Sequence, residues 1–149
     1  MKQRDLLVIP ATAIAVMVLN VAISVGAVWI YSMLVAPGRP TSDYEAFAVV
    51  AAPVSSVVAG IPLMFLAGLL LSRGRTARAA LAAAAAVALV YIVLDAAIVL
   101  ATDAGRGAWA WEALSYSTKL LSALAGAWLR TSRGSAGQPL TPTRDRSMS

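Results

Sequence analysis

The chain has 149 residues, of which 60% are hydrophobic and 13% charged, with a formal net charge of +5 and neither Cys nor His. Soluble domains hold roughly 45–50% apolar and about 25% charged residues, so this excess, gathered in long blocks, predicts membrane spans rather than an enlarged core. The missing Cys and His exclude disulfides, thiol chemistry, Cys/His zinc sites, haem ligation through either residue, and His-based triads.

The first apolar block runs from Leu6 to Leu34. It exceeds the ~7–15-residue core of a signal peptide, so it is expected to stay as a membrane-anchored helix. Asn20 lies near mid-span with Ser24 one turn on, which puts both on one face. Trp29 and Tyr31 fall where an interfacial aromatic belt belongs. Pro37-Gly38-Arg39-Pro40 ends this helix, and Ser42 with Glu45 has the spacing of a capping box for the next.

The second span, 46–72, contains Pro53, Ser55, Ser56, Gly60 and Pro62. Each proline removes a backbone donor, which predicts a kink or break in this helix. A basic turn, Ser72–Arg78, leads to the third span, 79–101, which opens on an alanine run at 82–86 suited to close helix packing. Tyr91 and Asp95 share a face in its second half. After a Gly-containing loop at 102–108, the fourth span, 109–129, carries Glu112, Ser115, Tyr116, Lys119 and Ser122. A central Lys costs ~2.5–3.5 kcal/mol on insertion scales, so this span needs a neighbour to become credible. Residues 131–149, rich in Ser, Thr, Gly, Pro and Arg, read as a disordered cytoplasmic tail following a four-helix domain at 1–130.

Nine Lys and Arg fall on one side of these spans (Lys2, Arg4, Arg73, Arg75, Arg78, Arg130, Arg133, Arg144, Arg146) against Arg39 and Arg106 on the other. The positive-inside rule then puts both termini in the cytoplasm. Because the basic residues flank apolar blocks, they act as topology signals, and nucleic acid is excluded as a partner. Ten Arg against two Lys, with abundant Ala, points to a GC-rich bacterial genome and hence an inner membrane. The predicted fold class is all-α: an integral membrane four-helix bundle, N-in and C-in, with short loops.

Charges inside such a bundle mark the place where function would lie. Asp95 sits about 9 Å and Lys119 about 16 Å from the outer ends of their helices, a gap of roughly 7 Å that a Lys stem can span. A buried Asp95–Lys119 pair is therefore expected, with Glu112 shallower. Positions 112, 115, 116, 119, 122, 123 and 126 form one polar stripe, and Asn20, Tyr91, Ser55 and Ser56 are expected to complete an intramembrane polar site. Small residues at Thr118, Ser122 and Gly126, and at Gly60 and Gly68, predict close packing inside the bundle ahead of a dimer interface.

No phosphate-binding loop, dinucleotide fingerprint or nucleophile elbow is present, and no cofactor or metal is expected. The reading that needs least is a non-enzymatic accessory, assembly or regulatory protein acting by helix association in the bilayer, with itself or with a partner membrane protein. The first alternative is a small-solute or proton-coupled carrier working as a homo-oligomer. The second is a membrane-embedded enzyme on a lipid-like substrate, with Asp95 or Glu112 as acid. In layout alone the chain resembles the small multidrug-resistance transporters. Those carry an essential acid in the first helix, where this chain has Asn20, and no residue is carried over from them.

Overall fold

The computed structural model describes residues 3–102 and 109–135. Four helices account for nearly all of them. Helix α1 spans Gln3–Ile30 and continues into one π-helical turn, Tyr31–Val35; α2 spans Thr41–Leu71, α3 Ala77–Thr102 and α4 Trp109–Ser135. Three of the four are long and apolar enough to cross a membrane: 5–35, 41–71 and 77–101, with mean hydropathy between 2.2 and 2.5. Helix α4 is 27 residues long, yet its Ser, Thr, Glu and Lys content keeps it out of that group.

Two tight turns set the first three helices. Gly38 (φ 76°) and Gly74 (φ 68°) take the left-handed conformation that side chains resist, and each reverses the chain between helices. Around the first turn the Tyr44 hydroxyl donates to the Ala36 carbonyl (2.8 Å) and accepts from the Arg39 amide (3.0 Å). Tyr31 stacks on Phe47 at 3.8 Å between centroids and meets Tyr44 edge-on. The aromatics at this end thus clamp the α1–α2 corner. The loop at 103–108 and the tail from 136 onward lie outside the described residues.

Several expectations are corrected. Helix α2 begins at Thr41, so Ser42 already lies inside the helix and cannot cap it. Pro40, in extended conformation, is the N-cap, no side chain closes the expected capping box, and an exposed Arg39–Asp43 contact of 3.7 Å lies there instead. Pro53 and Pro62 do not break α2, which is one helix of 31 residues. Helix α4 runs on to Ser135, into the segment expected to be disordered.

Contacts fix the arrangement. Ser24 meets Ser55, whereas Asp5 meets Arg75 and Asn20 meets Tyr91, so α1 is antiparallel to α2 and parallel to α3. Lys119 meets Ser56 and Gly126 meets Phe65, so α4 runs parallel to α2. Around the bundle the order is α1, α2, α4, α3, and the most extensive interface is α2 with α4. The core is built largely from small residues, Ala13, Ala67, Ala80, Ala84, Ala88, Ala123 and Ala127, with Ile9, Val16, Met64, Leu71, Val87 and Tyr91 as its bulkier members. Small side chains let the backbones approach closely. At Gly68 an added Cβ would land on the Ala123 carbonyl oxygen, and at Gly126 on that of Phe65. The small-residue spacing on α2 and α4 is therefore used inside the bundle.

Candidate functional site

A layer of four polar residues crosses the middle of the bundle, one from each helix. Asn20 of α1, Ser56 of α2, Tyr91 of α3 and Lys119 of α4 lie roughly 14–17 residues, or about 21–26 Å, from the ends of their own helices on the side of the bundle that carries Arg73 and Arg75. Lys119 is 0% exposed and Asn20 5%. The Lys119 Nζ donates to Ser56 Oγ (2.9 Å) and to the Tyr91 hydroxyl (3.2 Å), and lies 4.7 Å from the centre of the Tyr91 ring. Asn20 Nδ2 donates to the same two oxygens, at 3.2 Å and 3.0 Å. Ser24 and Ser55 add a hydroxyl contact of 2.7 Å one turn toward the other end.

Lys119 is thus seated between neutral partners rather than opposite a carboxylate. The expected Asp95–Lys119 ion pair is not made; the salt bridges among the described residues are Arg39–Asp43 and Arg75–Asp5. The reason is depth. Tyr91 lies one turn further in than Asp95, at about 16 Å from the C-terminal end of α3, level with Lys119. The Lys stem also lies directly on the bare backbone of Gly60, where an added Cβ would sit 2.6 Å from its Cε. Gly60 is the seat of the lysine, and the sequence signal for it was its place one turn after Ser56.

The carboxylates form a second, looser group. Asp95 and Glu112 are half-buried, and the Tyr116 hydroxyl stands within hydrogen-bonding reach of both. Both carboxylates are close enough to Lys119 to interact with it through space, without contact. The Tyr116 ring centre is 6.0 Å from the ammonium. Along α4, Ser115, Lys119, Ala123 and Gly126 are buried and Glu112, Tyr116 and Ser122 half-buried, so the polar stripe faces inward. Ser122 stays outside the layer because its hydroxyl donates to its own helix, at the Thr118 carbonyl (2.7 Å).

One buried atom in the layer lacks a partner, Asn20 Oδ1. As arranged, Ser56 and Tyr91 each accept from both Asn20 and Lys119. Turning the amide so that Oδ1 faces them would let both hydroxyls donate to it. The donor chain would then run from ammonium to hydroxyl to carbonyl, which disperses the positive charge of Lys119 across the layer.

Two clefts lie away from the layer. A cleft of about 850 Å³ opens at the basic end between α1, α2 and the 72–76 turn, and one of about 330 Å³ lies on the α3 side of α1. Neither is lined by Lys119, Asp95 or Glu112. Their shared wall is the ion pair of Arg75 Nη2 with Asp5 Oδ1 (2.6 Å), which sequence reasoning missed because the partners are 70 residues apart. Among the described residues no group of three or more acidic residues is placed to hold a metal ion.

Comparison with known proteins finds no matching family model, no similar curated protein and no similar solved structure.

Proposed function

We propose that the chain is an integral protein of a bacterial inner membrane, with four spans and both termini cytoplasmic. We assign it an accessory, assembly or regulatory role exercised by helix association. Three apolar helices and the nine-to-two split of Lys and Arg support the placement. The fourth span becomes insertable because its one central charge is taken up by Ser56 and Tyr91 instead of facing lipid. The observation that carries the reading is the state of Lys119. It is wholly buried and hydrogen-bonded to neutral groups, which suits a fixed element of architecture better than a group that must meet a solute. Apolar side chains such as Val18 and Val25 on α1, more than half exposed, are the surface available to lipid or to another helix.

The test is reconstitution. The protein should stay in the membrane after alkaline carbonate extraction, and liposomes containing it should show no proton leak above that of empty ones. A photo-crosslinker at Val18 or Val25 in cells should give one discrete protein adduct. A protein-dependent leak abolished by Asp95→Asn would overturn this reading in favour of the carrier. That second reading has one observation behind it: Asp95, Tyr116 and Glu112 form a half-buried acidic group beside Lys119.

A further inference from the structure

We propose that the large cleft at the basic end of the bundle is a binding site for a phosphate ester, and that the ester is the headgroup of an anionic phospholipid. The inference rests on membrane residence but not on helix association.

The cleft holds about 850 Å³, within the range of small-ligand sites. Its mouth is cationic. Arg73 and Arg75 both line it, with Thr76 supplying a hydroxyl. Arg75 is gripped by Asp5 at 2.6 Å, which neutralises one charge but fixes the guanidinium in place. A guanidinium carries five N–H donors, so donors remain for a second acceptor. Arg73 is exposed and, among the described residues, makes no hydrogen bond or ion pair through its side chain. On the far side of the Asp5–Arg75 pair, Arg78 lines the smaller cleft. A phosphate seated at Arg75 therefore has Arg73 beside it in the same cleft, with Arg78 adding charge from beyond the pair. Arginine suits this task because its planar fork matches two phosphate oxygens at once.

The rest of the cleft argues for a lipid rather than free phosphate. From Asp5 to Thr12 the α1 wall extends about 10 Å toward the middle of the bundle, and it faces Ala67 and Leu71 of α2. Thr12 adds no free hydroxyl proton to that wall, because it donates to the Val8 carbonyl at 2.7 Å. A cationic mouth over an apolar wall fits a phosphodiester with its glycerol and first methylenes. Basic pockets between helices on the cytoplasmic side of a membrane are the places where anionic headgroups bind.

The experiment uses the full chain in a neutral detergent, read by native mass spectrometry after adding phosphatidylglycerol, phosphatidylcholine or sodium phosphate. Phosphatidylglycerol should remain bound at several-fold higher occupancy than phosphatidylcholine. Arg73→Gln should lower that occupancy roughly tenfold, the loss of one charge-assisted contact. Arg130→Gln removes one charge from the same end of the bundle outside the cleft, and should leave occupancy unchanged. Equal retention of the two lipids, or equal losses in the two variants, would overturn the proposal. Displacement of phosphatidylglycerol by millimolar sodium phosphate would identify a free-phosphate site and reject the lipid. Carbonate extraction of the same variants reports membrane residence separately, so failure of the cleft and failure of the membrane placement give different results.

Discussion

The α2–α4 interface can be probed with three Gly→Ala substitutions, and a fourth in α1 as a control, whose costs the geometry ranks in advance. At Gly26 nothing lies within 4 Å of an added Cβ, so Gly26→Ala should be neutral or gain up to about 1 kcal/mol from helix propensity. At Gly60 the new methyl would meet the Lys119 stem, 2.6 Å from Cε. That stem can move, but only by giving up a hydrogen bond to Ser56 or Tyr91, a loss of roughly 1.5–3 kcal/mol. At Gly68 and Gly126 the methyl would strike the backbone carbonyls of Ala123 and Phe65. Backbone cannot swing aside, so the helices must part and Met64, Ala123 and Ala127 lose contact as well. Overpacking costs about 1–3 kcal/mol where side chains can adjust, so about 3 kcal/mol or more is expected at these two positions.

The two severe substitutions share one remedy, which gives a sharper test. Once Gly68→Ala has pushed α2 and α4 apart, room exists for the methyl of Gly126→Ala. The double variant should therefore lose much less than the sum of the singles. The assay is unfolding in mixed micelles of mild detergent and dodecyl sulfate, followed by tryptophan fluorescence. The predicted order is Gly26, Gly60, then Gly68 and Gly126, with midpoints independent of protein concentration. Equal losses at Gly26 and Gly68, or strictly additive losses in the double, would refute the close helix contact. Midpoints that shift with concentration would place these glycines between copies of the chain instead.

Three further outcomes follow from the polar layer and the topology. Lys119→Met should leave stability within about 1 kcal/mol of the parent or raise it, because removing a buried charge offsets its lost hydrogen bonds; Tyr91→Phe with Lys119 retained should cost roughly 1.5–3 kcal/mol, and much less in the Lys119→Met background. Strong coupling of Asp95→Asn to Lys119→Met in the same unfolding assay would contradict the absence of a direct pair. Asn20→Asp should raise the unfolding midpoint, since a carboxylate there can accept from both hydroxyls and counter the ammonium; a lower midpoint would show that the amide is needed as a donor. The chain has no Cys, so Ser42→Cys and Arg133→Cys need no background removed: an impermeant maleimide applied to intact cells should label the first and spare the second, and labelling of both would reject the N-in, C-in topology.

The helices were legible in the sequence because length and apolar composition are properties of each segment alone. What lay between segments was legible only in part. Asp95 and Lys119 invite pairing because opposite charges are conspicuous, and a Lys stem has the reach. Reach, however, is set by where the stem lies, and the bare backbone of Gly60 directs it to Ser56 and Tyr91. Counting residues from the ends of the helices would have shown that Tyr91, not Asp95, shares a level with Lys119, along with Asn20 and Ser56. The same count explains why Ser122 stands apart: it lies nearly a turn beyond that level and satisfies itself on its own helix. The Asp5–Arg75 pair had no such signature, since nothing in either segment fixes how the first turn of α1 meets the turn before α3. In an all-apolar bundle the informative residues are therefore polar ones at a common depth. Here each helix contributes one, and the lysine among them requires the other three to be where they are.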